Sequence, residues 1–363
     1  MANFNLTKMA VNMYCPGNVV QLDDAGLPSV MVYIPSFKLS DVLNTADDST
    51  HPAFIVNGKE IPGFYYSKYQ NVVHNGKAYS LPAENPRGNI DFENAREHCE
   101  AKGYGWHLST AAEWAAIALW CKKNSFLPYG NNAYGKDNRE NAYKAIPAVH
   151  DNGKIAMVAS GTGPMKWSHD QTASGIWDMN GNMWEWQGGL RVVWGELQIF
   201  ANNDAASPEK PQNRTSTFWK AINAADGSLV EPECLISDTD VKASGNTVKL
   251  DYVTESGWAY KTGISNASDT SRYSQFASIV CGAEISDAAK VLLRAFALLP
   301  EEGGDEYDMD TVYWNNKSAE CCIYRGGSYY DGYASGVFSI SGSYPRTRAT
   351  GPVGFRAAYI PNI

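Results

Sequence analysis

The segment of residues 175–186, which reads GIWDMNGNMWEW, constrains the fold more than any other part of the chain. It places three tryptophans and two glycines within twelve residues. Tryptophan side chains contribute large apolar areas to a core, and glycine permits tight turns that other residues resist. We therefore expect Trp177, Trp184 and Trp186 to fill a core where helices meet a sheet.

The composition is that of a soluble globular protein, because 44% of the 363 residues are hydrophobic and 19% are charged. The formal charge is −9 and no run rich in lysine or arginine occurs, which argues against nucleic-acid binding and against an anionic membrane surface. No apolar stretch approaches the roughly 20 residues that span a bilayer, and the N-terminus has no apolar signal core. We expect cytoplasmic synthesis without a signal peptide and no membrane insertion.

Short apolar runs in the first part of the chain, such as Val30–Pro35, are typical of strands, so residues 1–60 are predicted to form a β-rich N-terminal extension. Residues 61–363 are predicted to form the main domain. Within it, residues of about 190–315 alternate short apolar segments with stretches rich in Asn, Ser, Asp and Gly. We interpret them as a long insertion packed on the same domain.

Three helices carry clear boundary signals. Asp91 is expected to cap a helix that runs through Cys99, and Thr110 with Glu113 forms a capping box that opens a helix of residues 111–121. A third helix, capped at Ser286 or Asp287, is predicted to end at residue 300.

Seven cysteines are scattered without the paired spacing of a zinc site, and most are expected to be buried thiols. Two readings of the adjacent Cys321 and Cys322 stay open: two core thiols, which we favour, or a redox pair.

Three segments, in this order, resemble the formylglycine-generating-enzyme (sulfatase-modifying factor) family. They are HLSTAAEW at 107–114, GIWDMNGNMWEW at 175–186, and a C-terminal pair made of RGGS at 325–328 and GFR at 354–356. The resemblance implies a mixed α+β, C-type-lectin-like fold, here with a long insertion. In such a core, Arg325 and Arg356 are expected to bind buried carbonyl groups or Glu185.

The resemblance also bears on catalysis. Oxidase members of the family use two cysteines between the RGGS and GFR motifs, and this chain has no cysteine from Arg325 to Ile363. Another branch holds iron with three histidines, but the six histidines here form no His-x₃-His pattern on a helix. We therefore predict a protein that is not an enzyme. The alternative is an oxidase or related enzyme of the same fold.

Residues 325–356 have an unusual composition, because they contain no Lys, Glu, Gln, Trp or Met. Those five amino acids cannot be reached by changing the adenines of an asparagine codon, whereas Tyr, Ser, Asp, Gly, Ala, Thr and Arg can. Within this frame, the segment resembles the variable proteins of diversity-generating retroelements of phages and bacteria. The resemblance implies a variable region of about 325–359 that binds ligands.

Alternation in residues 336–342 predicts that Phe338 and Ile340 face the core while Ser339 and Ser341 face outward. Aromatic, hydroxyl and charged side chains of the kind that rigid-scaffold paratopes use follow on either side. The predicted ligand-binding residues are Tyr329, Tyr330, Asp331, Tyr333, Ala334, Ser339, Ser341, Ser343, Tyr344, Arg346, Arg348 and Thr350. The alternative is an ordinary loop-rich β end.

The implied ligand is a protein or glycan on a host or target cell surface. The implied location is a phage virion, at its tail, or a bacterial cell surface. A homo-oligomer would raise avidity and stays open.

A second predicted site is structural calcium. In family members that hold calcium, the corresponding loop supplies ligands at positions matching the side chains of Asp178 and Glu185 and the backbone carbonyls of Gly181 and Met183. The alternative is that Asp178 caps a turn and Glu185 pairs with an arginine.

Overall fold

A computed structural model describes residues 2–302, 307–361 and 363. Its helices are α1 (Ala2–Tyr14), α2 (Leu39–Val42), α3 (Phe92–Glu100), α4 (Ala111–Lys123) and α5 (Asp287–Ala295). The strands before α5 are β1 (Asn18–Leu22), β2 (Pro28–Pro35), β3 (Ile55–Val56), β4 (Lys59–Glu60), β5 (Gly63–Ser67), β6 (Val72–His74), β7 (Lys77–Tyr79), β8 (Trp106–Leu108), β9 (His150–Asp151), β10 (Lys154–Ile155), β11 (Trp184–Val193), β12 (Glu196–Ile199), β13 (Lys220–Ile222), β14 (Leu229–Val230), β15 (Lys249–Val253), β16 (Gly257–Lys261), β17 (Arg272–Gln275) and β18 (Val280–Cys281). Those after it are β19 (Thr311–Trp314), β20 (Cys321–Arg325), β21 (Ile340–Tyr344), β22 (Val353–Phe355) and β23 (Ala357–Tyr359).

The smaller of the two main sheets joins both ends of the chain. It has five strands in the order β1-β2-β5-β23-β8, and β2 pairs antiparallel with β5 from Met31–Ser67 to Pro35–Gly63. Strands on both sides of the predicted boundary near residue 60 therefore pair within one sheet, so this boundary does not divide the chain into two structural units. The first 60 residues also begin with α1, a helix that the strand-like runs did not predict.

The larger sheet has twelve strands, and its main path runs β17-β19-β21-β20-β11-β12-β15-β16-β18. Strands β12 to β19 all come from the predicted insertion, and they extend the sheet that β11, β20, β21 and β22 begin. The pairing of β19 with β21 is parallel and aligns Val312 with Ile340. The insertion is thus built into the same sheet as the C-terminal segment.

The helix boundaries follow their caps. The Asp91 carboxylate accepts a hydrogen bond from the Asn94 amide, and the predicted Thr110–Glu113 capping box is present. Ser286 is the cap of α5. That helix ends at Ala295 and not at residue 300, because Ala297 adopts a left-handed conformation with φ of 48°.

The tryptophans of the 175–186 segment lie in the core, as predicted. Trp186 is fully buried and donates its indole N–H to the Ile90 carbonyl at 2.9 Å. Trp184 and Trp177 are also buried. Apolar area of this size removed from water is the dominant favourable contribution to folding.

A buried ion pair joins the two main sheets. The Arg356 guanidinium, between β22 and β23, contacts both Glu185 carboxylate oxygens at 2.7 and 3.0 Å, and Glu185 lies on β11. Arg356 also donates to the carbonyls of Ser67, Lys68 and Trp177. The predicted role of Arg356 is confirmed.

Removing this guanidinium should destabilise the folded protein, because the Glu185 carboxylate is left buried without its charged partner. We expect Arg356→Met to lower the free energy of unfolding by about 3–5 kcal/mol, measured by urea denaturation. The control Arg87→Met changes an exposed arginine and should stay within about 0.5 kcal/mol. Equal, small losses for both variants would contradict this role.

Candidate functional site

The backbone of the C-terminal segment is fixed by hydrogen bonds to the rest of the domain. The partners lie in loops, in helix α4 and just before β19. The bonds run from Gly181 N–H to Gly326 O (2.9 Å), Tyr134 N–H to Tyr329 O (2.8 Å), Gly332 N–H to Asn132 O (2.9 Å), Trp114 indole N–H to Val337 O (2.7 Å) and Phe338 N–H to the Asp310 carboxylate (2.7 Å). None of these bonds uses a side chain of residues 326–338.

A sharp turn starts the segment. Gly327 has φ of 82°, and a Cβ atom there would lie 2.1 Å from the Ser335 Oγ, so only glycine fits. One turn later, Asp331 accepts hydrogen bonds from the Ser328 amide and hydroxyl at 2.8 and 2.7 Å. Burial raises the pKa of the Asp331 carboxyl.

A cavity of about 170 Å³ opens beside this turn. Residues of the segment form one side of it, and residues from β11, β19, β20 and the insertion form the other. Its lining consists of Trp184, Ser271, Tyr313, Tyr324, Tyr330, Asp331, Ser341, Tyr344, Arg348, Thr350, Pro352 and Val353.

Aromatic rings form a continuous surface around the cavity. Successive ring centroids lie close together at Tyr273–Tyr313 (6.2 Å), Tyr313–Trp184 (6.1 Å), Trp184–Tyr324 (5.2 Å) and Tyr324–Tyr344 (6.4 Å). A second run joins Tyr134, Tyr329 and Tyr330. Clustered aromatic side chains of this kind supply contact area at little cost in conformational entropy.

Many of the residues predicted to bind ligand lie at this surface. Tyr330 and Tyr333 are 49% and 60% exposed, and Arg348 is exposed. Tyr329, Asp331, Ala334, Tyr344 and Thr350 are partly exposed. Ser341 is buried, at 3% exposed, and it lines the cavity.

Two further serines that were predicted to bind ligand, Ser339 and Ser343, do not reach solvent. Ser339 is fully buried; its hydroxyl donates to the Ala334 carbonyl at 2.6 Å and accepts from the Thr311 amide. It precedes β21, where the strand pattern has not yet begun. Ser343 is also buried and bonds to the Ser271 hydroxyl at 2.7 Å, because the insertion covers the face that the pattern left to solvent.

Arg346 is not a surface residue either. Its guanidinium binds the Glu320 carboxylate in two places at 2.7 Å and also contacts Glu93 on α3. It donates as well to the Gln212 carbonyl. The guanidinium is 5% exposed, so Arg346 ties the end of β21 to a helix and to the insertion.

The sequence analysis missed the scaffold side of the cavity. Trp184 belongs to a family motif and Tyr324 lies next to one, but the sequence pattern predicted core residues at both positions. Ser271 and Tyr313 come from the insertion, for which no motif was available. The parallel pairing of β19 with β21 brings Tyr313 opposite Ser341, and no local sequence signal encodes a parallel pairing over that distance.

The oxygen atoms of the residues predicted to bind calcium accept hydrogen bonds from protein N–H groups. The Gln70 side-chain amide nitrogen donates to the carbonyls of Asp178 and Met183 at 3.2 Å and to the Glu185 carboxylate at 3.0 Å. Arg356 binds the same carboxylate. The Gly181 carbonyl, which is the predicted ligand atom, accepts a hydrogen bond from the Met183 amide at 2.8 Å. Calcium needs six to eight oxygen ligands, so these residues do not fit the ion.

The alternative reading describes Asp178 and Glu185 as the structure has them. Asp178 accepts a hydrogen bond from the Gly161 amide at 2.8 Å, and Glu185 pairs with arginine. Burial raises the pKa of Asp178 to about 6. Its second carboxylate oxygen is buried without a hydrogen bond.

Cys321 and Cys322 are core thiols. Both are fully buried on β20, and they belong to two different core clusters. Burial raises the pKa of Cys321 to about 12 and that of Cys322 further, which makes each a poor nucleophile at neutral pH. Over residues 2–302, 307–361 and 363, no group of three or more His, Cys, Asp or Glu side chains is placed to hold a metal ion.

A larger cavity of about 680 Å³ lies elsewhere, between β2 and α4. Two of its titratable groups form local hydrogen bonds: His169 accepts a hydrogen bond from the Ile176 amide, and Asp170 accepts from the Thr172 amide. Burial lowers the pKa of His169 to about 4, so its imidazole is neutral at pH 7.

In the described part of the chain, no helix is long and apolar enough to cross a membrane.

The fold and the buried motifs define a mixed α+β, C-type-lectin-like domain of the formylglycine-generating-enzyme type. The model of the sulfatase-modifying factor enzyme 1-like domain matches residues 11–197, which is just over half of the chain. The protein therefore belongs to this family.

Solved structures with similar folds include PvdO from Pseudomonas aeruginosa, at 13% identity and a TM-score of 0.33, covering 92% of this chain and 94% of that one. The P3c and I1 variants of Major Tropism Determinant match at 9% identity and a TM-score of 0.30, covering 94% of this chain and 71% of theirs. Similarity at this level does not bear on function. No curated protein matches the chain.

The two arginines near the end of the segment should respond differently to truncation. Arg346→Ala leaves Glu320 buried with only Arg191 and Arg214 nearby, so we expect a loss of about 3 kcal/mol in the free energy of unfolding. Arg348→Ala removes an exposed side chain and should change it by less than about 0.5 kcal/mol. Urea denaturation of both variants checks this, and an equal cost for the two would contradict the assignment.

Calcium should not stabilise the protein. A ligand that binds only the folded state raises the melting temperature, and the 178–185 loop lacks an oxygen cage. We expect the same melting temperature in excess calcium and in excess chelator, measured by scanning calorimetry. A calcium-dependent increase that Asp178→Asn abolishes would show that the loop rearranges to bind the ion.

Proposed function

We propose that this protein is a non-enzymatic display protein, in which the scaffold holds a variable C-terminal region of about 325–359 that binds ligand. The ligand is a protein or glycan on a host or target cell surface. The alternative is an enzyme of the same family, and the family match is compatible with it.

The observation that carries the proposal is how the segment is held. The hydrogen bonds that join residues 326–338 to the loops, to α4 and to Asp310 use the backbone of the segment, so these bonds do not depend on which side chains it carries. Tyr330 and Tyr333 extend from this backbone into solvent, and Arg348 is exposed further along the segment. A chain held in this way tolerates many side chains at its exposed positions without loss of the fold.

The composition of the segment supports diversification by a retroelement. Residues 325–356 lack the five amino acids that adenine changes in an asparagine codon cannot produce. The exposed Tyr, Asp and Arg residues are all among those that such changes produce. The buried Ser339 and Arg346 are among them too, and their burial removes them from the set that we propose to vary.

Catalysis by the oxidase route is opposed by the chemistry of the thiols. No cysteine follows Cys322, and the raised pKa of Cys321 and Cys322 keeps both in the neutral form. In the larger cavity, His169 and Asp170 are committed to local hydrogen bonds. At the aromatic surface, the Ser328 hydroxyl pairs with the Asp331 carboxylate, but Ser328 is fully buried and so is not accessible as a nucleophile.

The place of action that fits this role is a phage tail or a bacterial surface. Single contacts of a small cavity are weak, and arrangement of several copies would convert them into useful avidity. We include a homo-oligomer in the proposal on this ground alone.

Deep sequencing of the gene in a population that carries it tests the proposal. Substitutions should concentrate at Tyr330, Asp331, Tyr333, Ser341, Tyr344 and Arg348. Gly327, Ser339, Arg346 and Phe355 serve as internal controls and should stay fixed, because they are buried in the same segment.

A near-copy of the last coding segment rich in asparagine codons, next to a reverse-transcriptase gene, would support the same conclusion. If residues 329–350 are invariant in the population, diversification is wrong, and a binder of fixed specificity or an enzyme becomes the better account.

A further inference from the structure

Five aromatic residues line the 170 Å³ cavity. Trp184, Tyr313 and Tyr324 lie outside the variable region, while Tyr330 and Tyr344 lie inside it. Aromatic faces carry negative partial charge, and cations within about 6 Å of a ring centroid are attracted to them. The permanent part of the cavity therefore favours a positive group in every clone.

One carboxylate faces the same cavity. Asp331 accepts hydrogen bonds from the Ser328 amide and hydroxyl on Oδ2, and the Trp184 side chain is a further hydrogen-bonding partner of this carboxyl. No lysine, arginine or histidine in the described part of the chain forms an ion pair with it. A partly buried carboxylate without a counter-charge is costly, and its raised pKa reflects this cost. A cation from a ligand would offset it.

The chain supplies an internal example of such a contact. The Arg348 guanidinium lies 4.5 Å from the centroid of the Tyr344 ring. Arg348 is exposed and is the only cationic residue of the described lining. A lining ring thus already contacts a cation of the chain itself, and Arg348 is positioned to compete with a cation from a ligand.

The size of the cavity limits the ligand group. Sites for drug-sized molecules measure roughly 300–1,000 Å³, whereas this cavity measures about 170 Å³. A single amino-acid side chain fits it, and an oligosaccharide or a folded segment does not.

We propose that the cavity binds one lysine or arginine side chain of a protein ligand, with the cationic group against the aromatic walls and facing Asp331. This inference rests on the proposed ligand-binding function and adds the chemistry that the site recognises. The aromatic walls formed by Trp184, Tyr313 and Tyr324 are common to all clones. The residue at position 331 then sets the preference for charge in this one.

The test compares two small probes on the full chain by saturation-transfer NMR titration. N-acetyl-lysine N-methylamide carries the cation, and N-acetyl-norleucine N-methylamide has the same shape without it. We expect the lysine probe to bind at least about fivefold more tightly, as cation–π and carboxylate contacts at a partly desolvated site allow. Asp331→Asn should remove that difference, and Arg348→Ala should strengthen lysine binding about twofold.

Asp226→Asn is the matched control, because it removes the same charge from an exposed turn between β13 and β14. It should leave both probes unchanged, and the melting temperature of each variant verifies folding. Equal binding of the two probes, no effect of Asp331→Asn, or binding of a neutral methyl glycoside in place of lysine would each overturn the proposal.

The two proposals fail separately. An invariant gene with lysine-selective binding would end the case for diversification and keep this inference. A variable gene without lysine selectivity would do the reverse.

Discussion

The buried pair of Glu185 and Arg356 is the interaction on which the rest of the structure depends. Glu185 lies on the central strand of the larger sheet, and Arg356 lies where the chain passes from β22 in that sheet to β23 in the smaller one. Through its contacts with Ser67, Lys68 and Trp177, one guanidinium connects both sheets and the tryptophan-rich loop. Such a pair is strong only when all its hydrogen bonds are made, and it links the 175–186 motif, which carries Glu185, to the GFR motif, which carries Arg356.

Arg325 has a similar role at the start of the segment. It is fully buried and donates to the Phe296 and Ala297 carbonyls at the C-terminal end of α5. The two arginine motifs thus fix the points where the C-terminal segment leaves the core and returns to it. Between them, residues 326–338 are joined to the rest of the domain through their backbone, whereas Ser343 and Arg346 are held by their side chains. Under the proposed function, the frame supplies stability and the side chains that reach the surface supply recognition.

The insertion changes how the candidate site is understood. Its strands β17 and β19 form the edge of the larger sheet beside β21, and Ser271 and Tyr313 line the cavity. The surface is therefore made by two parts of the chain that are distant in sequence. Variation in the C-terminal segment would act against a fixed aromatic wall that the insertion and the family motifs supply, so clones would share part of their ligand chemistry.

The sequence by itself determined the features that depend on near neighbours or on strong motifs. The caps at Asp91 and Thr110, the burial of Trp184 and Trp186, and the roles of Arg325 and Arg356 all follow from local hydrogen bonding or from apolar area. Only the tertiary structure decided the burial of Ser339, Ser343 and Arg346, the place of residues 1–60 in the small sheet, and the cavity itself. These depend on which distant strands become neighbours, and the periodicity of one strand does not say what covers its outer face.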